Sequence, residues 1–339
     1  MNKIQKYIYN IPKAELHIHI EGSFEPELMF EIAKRNNIPL SFNSVEDLKA
    51  AYNFNNLQEF LNIYYQGAQV LIYEKDFFDL TYAYLKKVHE DHVVHTEIFF
   101  DPQTHTDRGI AFETVITGIS KAMEKAKLDF GISSFLIMSF LRHLSEKAAF
   151  KTLEMAMPWK DKILGIGLDS SEVGNPPQKF EKVYSACRKM GFKLMAHAGE
   201  EGPAKYISDS LTLLKIDRID HGNRCLDDDA LVQRIVKEQK GLTVCPLSNL
   251  KLQVVKSLEA HPLKKMLDLG LKATVNSDDP AYFGGYMNDN YFAIQEALKL
   301  NQSDIYQLAL NSFEVSFMSK SDKEFWKNEL EKYDQNFSK

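Results

Sequence analysis

The chain has 339 residues, 44% hydrophobic, 12% aromatic and 26% charged, which excludes a disordered chain and a small disulfide-stapled scaffold. Its net charge of −6 comes from 41 basic and 47 acidic side chains that are interspersed, without the basic stripe that tracks a phosphate backbone, so nucleic acid is not expected as a partner. No stretch reaches the roughly 18 uncharged apolar residues of a membrane helix, the start MNKIQKYIYN has no apolar leader, and Cys187, Cys225 and Cys245 lie too far apart for a disulfide framework or a cysteine zinc cluster, so a cytoplasmic protein with three buried thiols is expected.

The first strand-like run is Leu16–Ile20. A long interval follows, residues 24–90, with helical spacing at Leu57, Phe60, Leu61 and Tyr64 and again at Phe77, Leu80, Tyr84 and Val88, and with Asn56 and Asp76 as capping candidates. This reads as a helical insertion after strand 1 that caps the barrel rim, either as a lid or as a plain packing layer. Further runs are Val93–Phe100, Ile132–Phe140, Ile163–Leu168, Phe192–Ala196, Arg218–Asp220, Leu242–Cys245 and Lys272–Val275. Most are continuously apolar, as strands of a parallel sheet buried on both faces must be. Amphipathic spacing at Phe180, Val183, Tyr184 and Cys187, and at Leu231, Ile235 and Val236, places helices between them. Eight buried strands alternating with helices predict an α/β protein of the (β/α)8 TIM-barrel type, with a doubly wound open sheet as the alternative. Without internal repeats or linkers, residues 1–339 read as a single domain, and residues 288–339 as C-terminal helices forming a solvated outer wall.

His17, His19, His197, His221, Glu200, Asp278 and Asp279 all fall at the C-terminal ends of predicted strands, where barrel enzymes carry their chemistry. Residues two apart on a strand share a face, so His17 and His19 both aim into the barrel. They are either satisfied core histidines or metal ligands. A third imidazole from His197 and a carboxylate from Asp278 would complete a three-nitrogen, one-oxygen zinc set that leaves a position for water. Zinc lowers the pKa of water from 15.7 to roughly 7, which makes a nucleophile available at neutral pH. Glu200, in His197-Ala198-Gly199-Glu200-Glu201-Gly202, is the nearest proton donor. His221 is a candidate to orient or deprotonate the water, or a fourth metal ligand. Asp279 beside Asp278 can hold the water and a substrate nitrogen. His89, His92, His95 and His105, with Glu97 and Asp101, are expected at a helix end, at the start of strand two and in a polar loop from Asp101 to Gly109, in surface or supporting roles rather than as a second metal cluster. His143 and His261 read as ordinary.

The ordered motifs HxH, HAGEEG, RIDHG and NSDDP, over about Pro12 to Asn311, resemble the adenosine and AMP deaminase family of zinc aminohydrolases. The segments Gly165–Gly174, Phe99–His105, Ala51–Phe60 and Pro280–Gly285 look like its adenine deaminase branch, which acts on the free base and serves purine salvage. The nucleoside branch usually carries an Asp that serves the ribose where this chain has Glu21, and a Leu-Ala-Gly turn where this chain has Leu168-Asp169-Ser170. The resemblance implies that His17, His19, His197 and Asp278 hold one zinc ion per chain, Glu200 protonates purine N1, His221 steers the water, Asp279 bonds the water and N7, and Ser170 offers a backbone donor to N3. It implies hydrolysis of adenine to hypoxanthine and ammonia. The alternatives are adenosine or an N6-substituted adenine as substrate, or a non-catalytic metal-binding barrel. Cytidine-deaminase chemistry is excluded because Cys245-Pro246 has the wrong order and no second cysteine. The modified lysine of binuclear amidohydrolases is replaced by Leu168-Asp169-Ser170, in keeping with one metal.

Overall fold

A computed structural model describes residues 1–54 and 57–337. Eight parallel strands run in sequence order around a (β/α)8 barrel: β1 Lys13–His19, β2 Val93–Phe100, β3 Ser133–Leu141, β4 Gly165–Asp169, β5 Lys193–Ala198, β6 Arg218–His221, β7 Gly241–Val244 and β8 Lys272–Val275. All eight expected runs are strands, with ends moved by a few residues, and the doubly wound alternative falls because the strand order never reverses. Nearly every strand residue is buried, since the barrel interior covers one face and the helices the other. Cys187, Cys225 and Cys245 are free and buried, as expected.

The ring closes between β8 and β1 through the residues just past β8. Asp278 donates its N–H to the His17 carbonyl at 3.1 Å, and His19 donates to the Asp278 carbonyl at 2.9 Å. Lower in the seam no strand-to-strand ladder forms, and side chains of the helix Gln302–Val315 take over. Ser312 Oγ accepts the Ala14 N–H at 3.0 Å and Asn311 Nδ2 donates to the Ala273 carbonyl at 2.8 Å. Buried backbone groups must be paired, so this helix is a structural wedge. The expected solvated outer wall is therefore wrong for Gln302–Val315. It holds for Lys320–Phe337, where only Leu330 is buried.

Between β1 and β2 lie the helices Pro26–Arg35, Val45–Ala50, Leu57–Ala68 and Glu74–Glu90. The last belongs to the outer ring and packs tightly on the helix Phe112–Phe130. A Cβ on Gly118 would sit 2.4 Å from the Glu74 carbonyl oxygen, so only glycine allows this approach. Asp76 is not the residue preceding this helix but its third. Its carboxylate accepts the N–H groups of Ile72 and Tyr73 at 2.9 and 2.8 Å, and Arg35 and Asn36 hold it from the other side. Asn56, the other capping candidate, lies outside the described residues. The expected polar loop after Asp101 contains a short helix, Pro102–Thr106, begun by the proline whose missing N–H suits a helix start. Among the described residues no helix is long and apolar enough to cross a membrane.

Candidate active site

At the C-terminal mouth of the barrel the expected residues converge. His17 Nε2 lies 3.5 Å and His19 Nε2 3.6 Å from Asp278 Oδ1. The His19 and His197 Nε2 atoms are 3.1 Å apart, and His221 Nε2 stands 3.9 Å from Asp278 Oδ2. One group, with one ligand atom from each residue within 4.8 Å of all the others, is His17, His197, His221 and Asp278. His19 forms a second such group with Asp101 and Asp169. Four imidazoles thus surround one carboxylate, and the geometry leaves both expected roles open to His221.

The residues fit a divalent cation that accepts nitrogen and carboxylate oxygen. His17 Nδ1 is tied to Thr243 Oγ1 at 2.8 Å, while its Nε2 is buried without a hydrogen-bond partner. Leaving a buried polar atom unpaired costs about 1–3 kcal/mol, which a bound ion removes. Thr243 in turn donates to Asp220 Oδ1 at 3.2 Å, fixing the side chain that fixes the ligand. Burial, then His17 and His221, keeps His197 well below the usual imidazole range; burial, then His17, brings His221 down to about 3. Neutral imidazole is the form that binds metal. Asp278 behaves oppositely: burial pulls its carboxyl up, but the surrounding imidazoles, His17 foremost, hold it well below the ordinary value.

Glu200 and Asp279 line the same pocket. Burial first and the Asp278 charge second raise both carboxyls far above the ordinary range. Glu200 Oε2 stands 3.6 Å from His221 Nε2. His221, Asp278 and Ser170 all have left-handed backbone, with φ of 61°, 65° and 70°. Such residues cost of order 1 kcal/mol each and cluster where a side chain must be aimed against local preference. Ser170 also lines the pocket, and its Oγ lies 2.8 Å from His143 Nδ1, a contact that the sequence did not suggest.

Several residues that hold this site escaped the sequence reading. Glu172 accepts four successive backbone N–H groups, from Gly199, Glu200, Glu201 and Gly202, at 2.7 to 3.1 Å, and so shapes the loop that presents Glu200. Its partners lie 27 to 30 residues onward, beyond any local spacing signal. Fully buried Arg142 donates to the carbonyls of His197 and Asn175. Its position immediately after β3 is the strand-end signal that marked the other residues, and could have marked this one. The helix Leu57–Ala68 covers the pocket with Leu57, Phe60, Leu61, Tyr64 and Tyr65.

The remaining histidines form no metal-type group among the described residues. His95 is buried between Ser133 and Glu97, which takes the supporting rather than the surface side of the expectation. His105 is buried too. Arg108 donates to its Nδ1 at 3.1 Å, so its Nε2 carries the hydrogen given to Glu21 Oε1 at 2.8 Å. Asp101 N–H also reaches that oxygen, so Glu21 is held by this pair and is not among the residues lining the pocket. His261 is held by Asn249.

The adenosine deaminase family's sequence profile matches residues 12–333. The chain is 60% identical over 320 residues to an adenine deaminase of Acinetobacter baylyi, covering 94% of this chain and 96% of that one. It superposes on the crystal structure of an adenine deaminase from Arthrobacter aurescens with a TM-score of 0.95 at 47% identity, covering 96% and 99% of the two chains. An amidohydrolase from Burkholderia ambifaria, solved with bound zinc, matches with a TM-score of 0.90 at 25% identity over 100% and 95%.

Proposed function

The chain belongs to the adenosine deaminase family, and from that premise we propose that it hydrolyses adenine to hypoxanthine and ammonia. The observation that carries this reading is the convergence of Glu200, His221 and Asp279 on one buried pocket beside the imidazole and carboxylate cluster. The relatives named for adenine, and the withdrawal of Glu21 from the pocket onto His105, favour the free base over a nucleoside. In this reading His17, His19, His197 and Asp278 hold one zinc ion per chain, and the relative of similar fold solved with bound zinc supports the choice of metal. When bound there, zinc supplies an ionisable water at neutral pH.

The chain's own groups do the rest. Glu200, protonated in the free pocket, donates to N1 and so makes C6 electrophilic. His221 takes one proton of the attacking water as the C6–O bond forms and passes it to N6 of the resulting tetrahedral carbon; the C6–N6 bond then breaks, ammonia leaves neutral, and the remaining hydroxyl proton returns to Glu200 to give hypoxanthine. Asp279, its carboxyl raised by burial and by Asp278, hydrogen-bonds N7, and the Ser170 backbone N–H serves N3. Phe60, Leu61 and Tyr64 cover the base and exclude bulk water. We read residues 1–339 as one catalytic unit, because the inserted helix Leu57–Ala68 walls the pocket and Gln302–Val315 seals the barrel. Its partner is a small purine, and its three free buried cysteines suit the reducing cytoplasm.

A spectrophotometric comparison of adenine, adenosine and N6-alkyl adenines on the purified enzyme tests the reading. Adenine is the expected best substrate by kcat/KM, and a preference for the nucleoside overturns it.

A further inference from the structure

Two further carboxyl groups that the reaction does not use line the pocket. Asp101 follows β2 and Asp169 ends β4, whereas His197, Glu200, His221 and Asp279 come from β5, β6 and the turn after β8. Both side chains are buried, at 3% and 2% exposure, and both line the pocket. Their oxygens and a ring nitrogen of His19 lie within 4.8 Å of one another. Tyr64 donates to Asp101 Oδ2 at 3.1 Å, while Asp101 Oδ1 and both oxygens of Asp169 receive no N–H or O–H from other residues; burial, and for Asp169 the neighbouring Asp101, raise both carboxyls, so the two face each other as a coupled pair with acceptor capacity left over. His19 Nδ1 approaches Asp169 Oδ2 only to 3.5 Å.

Buried acceptors left unpaired in a pocket wait for a donor on the ligand. With N1 at Glu200 and N7 at Asp279, the six-membered edge and the C6 side of adenine are taken, and the opposite edge, N3 and N9, faces β2 and β4. N3 carries a lone pair and suits the Ser170 N–H. N9 carries a hydrogen only when nothing is attached there. We propose that Asp101 and Asp169 form the subsite that accepts the N9–H of a free purine base, and that this pair selects against every 9-substituted purine. The assignment rests on the adenine reading above and deepens it. A substituent on N9 removes the donor and sets carbon against the carboxyl pair, leaving buried acceptors unpaired. Sites built to bond an N–H or O–H reject analogues lacking it by 10⁴ to 10⁵, whereas apolar pockets reject by only about 10².

The test compares kcat/KM for adenine and 9-methyladenine in the metal-loaded wild type, Asp169→Ala and Asp101→Ala, with metal content measured in each. The wild type is expected to prefer adenine by on the order of 10⁴. In either variant adenine should fall roughly 10²–10³-fold while 9-methyladenine stays level or rises, with metal content unchanged, so the preference collapses. Asp169→Asn keeps the shape and one acceptor oxygen, guards against a folding defect, and should lie between. An equal loss on both substrates, or an unchanged preference, overturns the assignment. So does a second metal equivalent lost on substituting either aspartate, because the pair and His19 would then be ligands. A wild type that turns over both bases equally also sinks the pair's role and leaves the adenine reading standing, whereas a wild type inert on adenine sinks that reading itself.

Discussion

Asp278 donates its backbone N–H to the carbonyl of His17 while its side chain stands 3.5 Å from the His17 ring, so the seam that closes the barrel and the proposed metal cluster are built from the same residues. Fold closure and ligand geometry are therefore set together. His19 and Asp278 are joined in the same way, by the N–H of His19.

Removing metal should consequently loosen the fold as well as stop turnover. A ligand that binds only the native state stabilises it by about 4 kcal/mol at 1,000 times its dissociation constant. Calorimetry of the chelated and zinc-reloaded protein should show a higher Tm for the loaded form, with activity returning in parallel. Identical melting curves would show that the cluster holds no ion in the native state.

Glu200→Gln separates binding from proton transfer. The amide is nearly isosteric and lies outside the proposed ligand set, so metal content should be retained, while loss of the acid should lower kcat by about 10²–10⁴. Unchanged turnover, measured beside elemental analysis, would remove Glu200 from its role.

Gly22 makes room for Asp279. A Cβ there would fall 1.8 Å from Asp279 Oδ1, and the Gly22 backbone does not have positive φ, so alanine would act through this contact alone. Gly22→Ala should displace the Asp279 carboxyl and cut kcat/KM at least roughly 10²-fold, with near-wild-type secondary structure by circular dichroism. An active Gly22→Ala enzyme would mean that Asp279 can shift without consequence.

Glu97 links stability to acid. Burial alone would raise its carboxyl, but the Arg218 guanidinium, with His95 and the Phe317 N–H, holds it at about 2 against an ordinary 4.5. A depressed carboxyl contributes its full stability above pH 4.5 and loses it as pH falls towards 2. The gap corresponds to about 3 kcal/mol at 1.36 kcal/mol per unit. Urea unfolding from pH 7 to 2 should show this slope in the wild type, and Glu97→Gln should lower neutral-pH stability and flatten the curve. Parallel curves for the two proteins would place the acid sensitivity elsewhere.

The strands, their order and the placing of His17, His19, His197, His221, Asp278 and Asp279 at strand ends were legible in the sequence, because buried parallel strands leave continuous apolar runs and barrel chemistry follows directly after them. What the chain could not reveal by itself are pairings across long separations. The four N–H groups on Glu172, the Arg142 hold on His197 and the abutting Asp101 and Asp169 depend on how β2 to β5 are set around the ring, and the Ser312 and Asn311 wedge on how β8 meets β1. Periodicity records which face of an element is buried; which distant groups share that burial is decided only when the barrel closes, since hydrogen bonds are short-ranged and directional.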